Sequence, residues 1–162
     1  MVEAPHHGYW FVLLCLIGAL LMGIVPHEGW LTWGRPDWVL LVCAFWLLAL
    51  PDRFGLMTCW FIGLTQDVLT GAVLGQHAFS LVVIAYIFQV SYQRLRMFGL
   101  NRQAGLIALL CLFRVLVDQW AQSINGLNEA SWWVFLPVLT TALLWLVLRP
   151  VLRRFQYVFE VS

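Results

Sequence analysis

The run Phe54-Gly55-Leu56-Met57-Thr58-Cys59-Trp60-Phe61-Ile62-Gly63-Leu64-Thr65-Gln66-Asp67-Val68-Leu69-Thr70-Gly71-Ala72-Val73-Leu74 carries a single charged side chain, Asp67. A bilayer core about 30 Å thick asks for about 20 apolar residues at a rise of about 1.5 Å each. The run meets that length and reads as a membrane helix with an acid inside it. Five further apolar runs lie around it, at 9–25, 36–50, 78–90, 104–124 and 132–148. In the second, Pro36 is placed to occupy the first helical turn, where its missing N–H costs nothing. Asp37 beside it suits the positive end of the helix dipole. Pro51 disfavours helical geometry at Leu50 and is expected to end that run. With only brief connections, the chain reads as an all-α bundle of six transmembrane helices forming one integral membrane domain.

Composition argues the same way. Of 162 residues, 62% are hydrophobic and 10% are charged, against roughly 25% charged in a typical soluble chain. A soluble domain this small could not hide that much apolar surface. A disordered tail, a secreted disulfide scaffold and a soluble enzyme are all excluded. The formal net charge of +1 gives no reason to expect nucleic acid as a partner. The four cysteines lack metal-ligand spacing and read as small apolar residues, so no metal or cofactor is expected.

All nine basic residues are arginine, and their distribution sets the orientation. With the amino terminus in the cytoplasm, that side holds Arg53, Arg94, Arg96, Arg102, Arg149, Arg153 and Arg154, while the far side holds Arg35. Both termini are therefore expected to be cytoplasmic. Trp30, Trp33, Trp38, Trp120, Trp132 and Trp133 fall near the far boundary and Tyr9 and Trp10 near the cytoplasmic one, the depth that amphipathic rings prefer. The first run follows Glu3 and two histidines rather than arginines and lacks a small-residue cleavage pattern. It reads as part of the mature chain. The cytoplasmic arginines suit anionic lipid headgroups or a cytoplasmic protein.

Asp67, Arg114 and Asp118 lie inside apolar runs, where a charge facing lipid costs at least about 2.5 kcal/mol. From the cytoplasmic boundary Asp67 lies at a depth of about 18 Å and Arg114 at about 17 Å. Asp118 follows Arg114 by one helical turn. The three are expected to form a buried cluster joining the third and fifth helices. It reads as an internal clamp, as a proton or ion relay, or as a polar socket for a partner helix. Gly63, Asp67, Gly71 and Gly75 are each four residues apart, which on one helix makes a small-residue packing face beside the acid. Gln66, Thr70, Gln76 and His77 add polar atoms at the far end, His77 as an interfacial hydrogen-bonder. Nucleophile elbow, phosphate loop and zinc pattern are absent, and no nucleophile and base are spaced for intramembrane catalysis.

Several of these stretches resemble the MreD family, the rod shape-determining membrane proteins of bacteria. They are Arg35-Pro36-Asp37-Trp38-Val39-Leu40-Leu41, the exit from Trp46 to Leu50-Pro51, and the segment Gly63…Asp67…Gly71…Leu74-Gly75 followed by Ala78 and Tyr86. The resemblance covers nearly the whole chain. It implies a non-enzymatic inner-membrane subunit of the cell-elongation machinery that builds peptidoglycan. Its implied partners are MreC, MreB filaments, the RodA glycosyltransferase and a penicillin-binding transpeptidase. It also implies a fold similar to the six-helix substrate-binding subunits of vitamin transporters, without transferring a ligand. Binding of MreC would place this protein among membrane scaffolds. The rival expectation is a small-molecule subunit of vitamin-carrier type, with Arg35, Pro36 and Asp37 at the outer rim and Asp67 or Arg114 reaching a ligand.

Overall fold

The computed structural model describes residues 7–25, 34–51, 54–124 and 132–158. Among these, six α-helices follow in chain order: α1 (His7–Ile24), α2 (Trp38–Ala49), α3 (Leu56–Thr70), α4 (Gln76–Met97), α5 (Leu100–Ile124) and α6 (Leu136–Val158). A short 3-10 turn, Trp132–Phe135, leads into α6. The described residues include no strand. Trp30, Trp33 and Arg53 lie outside the described residues, as does the side chain of Tyr9.

The helices are less equal than six full spans. Gln76–Met97, Leu100–Ile124 and Trp132–Phe155 are long and apolar enough to cross a membrane. The 12 residues of α2 and the 15 of α3 reach only about 18 and 22 Å. Where the sequence reading carries the third helix to Leu74, Gly71 takes the left-handed conformation (φ 67°) and stops it at Thr70. The N–H groups of Gly71 and Ala72 both turn back to the Asp67 carbonyl, the economy of a glycine-terminated helix. At the other end hydropathy underestimates length. Helix α4 runs on through Gln89, Ser91, Gln93, Arg94 and Arg96 to Met97, because polar side chains do not break a helix and the next glycine is Gly99. Helix α6 likewise continues past Leu148 through Pro150.

At the centre lies α2. Every residue from Val39 to Leu47 is buried, so this helix is apolar all round, as a fully enclosed helix must be. It lies against α1, α4 and α6. An enclosed helix has no need to match the bilayer's thickness, since protein rather than lipid meets its ends. Trp46 is fully buried with Phe11 edge-on, ring centroids 5.9 Å apart. Trp145 of α6 is also fully buried, and both indole N–H groups lack a hydrogen-bond partner. Burying about 200 Å² of ring stabilises by about 5 kcal/mol, more than the about 1–3 kcal/mol an unpaired donor costs.

The exterior is apolar instead. Leu14, Phe61, Val68, Leu139, Leu143 and Val147 are each more than 60% exposed, a surface suited to hydrocarbon and not to water. Arg94 and Arg96 in the last turn of α4, Arg102 early in α5, and Arg149, Arg153 and Arg154 late in α6 gather at one end of the bundle. Those turns contain no acidic residue. Trp120, Trp132 and Trp133 are exposed at the opposite, arginine-poor end.

Candidate functional site

The polar interior begins where α2 begins. Asp37 is its N-cap: the side-chain Oδ1 accepts from the Leu40 N–H at 3.0 Å. Pro36 consequently sits just outside the helix, two positions before its first residue, Trp38, and not in the first turn where it was expected. The Asp37 N–H donates to Thr141 Oγ1 of α6 at 2.9 Å, so the last helix is fastened to the start of the second. Arg35 turns away, donating from Nη2 to the carbonyls of Met22, at 3.1 Å, and Gly23. A cation thus closes the negative end of α1. Through Arg35 and Asp37 this half-buried segment ties the end of α1 and the early part of α6 to the start of α2.

Asp67 is 1% exposed and serves the next helix in the chain. Its Oδ2 accepts from the Gly75 N–H at 2.8 Å. Its Oδ1 accepts from the His77 N–H, also at 2.8 Å, and lies 2.8 Å from His77 Nδ1. A carboxylate only accepts, so Nδ1 carries the shared proton. Three donors, two from the first turn of α4, converge on one anion at a helix N-terminus. The carboxylate is a staple between α3 and α4, reaching across the five residues that separate them.

The expected pairing of Asp67 with Arg114 is not what the structure shows. Arg114, 2% exposed, faces Asp37: Nη1 donates to Oδ1 at 3.3 Å, and Nε lies 3.1 Å from Oδ2 without the alignment of a hydrogen bond. Its Nη2 donates to Gln66 Oε1 at 2.9 Å. Gln66 and Asp67 are adjacent, and one residue turns a helix by about 100°. Gln66 therefore faces α5 while Asp67 faces α4. Nor does Asp118 pair with Arg114 one turn away. It accepts from Gln76 Nε2 through Oδ1 at 2.7 Å, and the same oxygen lies 3.9 Å from His77 Nε2.

The polar interior is thus two linked sets at the arginine-poor end. Arg114 joins Asp37 of α2 to Gln66 of α3. His77 stands between Asp67 and Asp118, with Gln76 beside it. The sequence marks Gln76 as a polar residue at the far end and His77 as an interfacial hydrogen-bonder, without joining either to the acids, and gives no sign of Thr141. The available signal was the pair of glycines at 71 and 75, which mark a turn and so return the chain to Asp67 ten residues on.

The glycines divide by role. Gly63 is a true contact residue: a Cβ there would collide with the Ala78 Cα and lie 2.6 Å from its N. Gly71 and Gly75 (φ 67° and 97°) have left the helix and meet nothing within 4 Å of a built Cβ. The expected packing face of three glycines reduces to one, and the other two shape the turn that brings α4 to Asp67.

The buried ion pair leads to a quantitative expectation. Arg114→Met should lower stability by about 3–5 kcal/mol, because Asp37 would keep its charge without a cation. Adding Asp37→Asn should recover part of that loss. A double-mutant cycle on thermal midpoints of the detergent-solubilised chain measures the coupling. Additive losses would mean that Arg114 and Asp37 do not interact.

Among the described residues no group of three His, Cys, Asp or Glu could hold a metal ion. The described helices form a membrane-sized bundle knitted at the 35–37 and 63–77 segments. The family described as rod shape-determining protein MreD matches residues 6–155. The chain belongs to that family. The rod shape-determining protein MreD of Haemophilus influenzae is 28% identical over 151 residues, covering 90% of this chain and 93% of the relative. No solved structure matches. Membership in the MreD family assigns the chain a role in cell shape at the membrane. The segments that carried the MreD resemblance are those that supply Asp37, Gly63, Asp67 and Gly75 to the interior.

Proposed function

We propose that the chain is a non-enzymatic scaffold of the bacterial cell-elongation machinery, a multi-pass inner-membrane protein with both termini in the cytoplasm. Its work is packing. The apolar exterior receives the membrane helix of MreC, and the arginine end faces anionic lipid and cytoplasmic components such as MreB. RodA and a penicillin-binding transpeptidase join through that assembly. The observation that carries this reading is the family match over nearly the whole chain. The asymmetry of six described arginines at one end supports the orientation.

The internal network favours a clamp over a relay or a carrier site. Asp37, Asp67 and Arg114 are engaged by neighbouring protein groups, whereas a carrier needs convergent polar groups left available to a ligand. A six-helix plan like that of vitamin-carrier subunits is what the family resemblance implies, and such a likeness transfers no ligand.

Purification in mild detergent from cells expressing both proteins should recover MreC with this chain at a fixed ratio. Recovery of the chain without MreC, holding a small metabolite, would overturn the scaffold reading in favour of the carrier.

A further inference from the structure

A groove of about 430 Å³ opens at the arginine-poor end, between the turn after α3 and the last turns of α5. Its walls include Leu74, Phe79, Val117, Trp120 and Ile124, and its polar member is Gln76. Gln76 is the residue whose amide donates to Asp118 Oδ1 at 2.7 Å. The Asp118 side chain is 29% exposed, and its Oδ2 accepts no hydrogen bond among the described residues.

The charges here do not balance. Asp37, Asp67 and Asp118 face one guanidinium, Arg114, and one imidazole, His77. Even with His77 protonated, one negative charge is left over. Arg35, the other cation at this end, is turned to the carbonyls of Met22 and Gly23. Asp118 has a more exposed carboxylate than Asp37 or Asp67; it is not itself a wall of the groove and is joined to it through Gln76.

We propose that this groove binds an aminophospholipid, its primary ammonium donating to the Asp118 carboxylate and an acyl chain lying along Phe79, Val117 and Trp120. The volume favours a lipid over a helix. A helix about 10 Å across with a pitch of about 5.4 Å would place only about one turn in such a space. A groove of this size lies within the range of about 300–1,000 Å³ typical of small-ligand clefts. Depth fits as well: Asp118 lies six residues before Ile124, about 9 Å inside the helix end, with exposed Trp120 marking the interface. An anionic headgroup would meet the unbalanced carboxylates and be repelled. The inference stands apart from the scaffold reading and concerns a different surface from the arginine end.

Native mass spectrometry of the full chain, released from nanodiscs holding equal amounts of phosphatidylethanolamine and phosphatidylglycerol with identical chains, provides the test. The expected result is selective retention of one phosphatidylethanolamine. Asp118→Asn should weaken that retention about ten-fold or more, the size of one charge-assisted hydrogen bond. Val117→Trp, which fills the trough, should remove it while the arginine end keeps its own lipids. Equal retention of the two lipids by the unaltered chain overturns the proposal without recourse to any variant. So does undiminished retention by Asp118→Asn, or recovery of a stoichiometric protein at this site in place of lipid.

Discussion

Asp67→Leu should leave the chain unable to accumulate in the membrane. The substitution removes one acceptor and strands three donors, the N–H groups of Gly75 and His77 and the His77 Nδ1–H. Each stranded buried donor costs about 1–3 kcal/mol, so the loss is about 3 kcal/mol at the least and comparable with the whole stability of many domains. Asp67→Asn should be milder and still harmful. Its carbonyl oxygen can replace Oδ1 in front of His77, but its amide then points a donor at the Gly75 N–H. Membrane levels and the thermal midpoint of the solubilised protein should rank parent, Asn variant, Leu variant. Parental behaviour of the Leu variant would mean that the carboxylate does not hold the α3–α4 turn together.

Gly63→Ala should rival it, from a different cause. A methyl group there would meet the Ala78 Cα, its N and the His77 carbonyl carbon, all within 3.0 Å. Since these are backbone atoms, no rotamer change relieves the clash, and α3 and α4 must separate. Overpacking of this kind costs typically about 1–3 kcal/mol, and separation would also stretch the Asp67 bonds one helical turn away. Gly71→Ala has open space around it and pays only for a left-handed backbone, about 1–2 kcal/mol. A parental thermal midpoint for Gly63→Ala would show that Gly63 is not a point of close approach.

Much of this architecture was legible as interruptions. Pro36 and Pro51 bracket α2, and the order of six helical segments follows from the six apolar runs. The ends were less legible, because hydropathy reports the medium around a segment and not where its hydrogen bonding stops. Burial of Asp67 and Arg114 follows from what a lipid-facing charge costs. Their partners do not follow, because depth along a helix can be counted while rotation about it depends on neighbours. A shift of one residue, Gln66 for Asp67, exchanged α5 for α4. The glycine spacing misled for a related reason: residues four apart share a face only while the chain remains helical, and Gly71 ends the helix.

The enclosure of α2 has a bearing on how the chain is made. A 12-residue helix emerging from the ribosome is too short to rest stably across a bilayer on its own. Two of the fixtures that accommodate it, Thr141 at its start and the α6 surface alongside it, are synthesised about a hundred residues later. Insertion and folding are therefore separate events for this protein: the second helix reaches its final environment only after translation of the last one is complete.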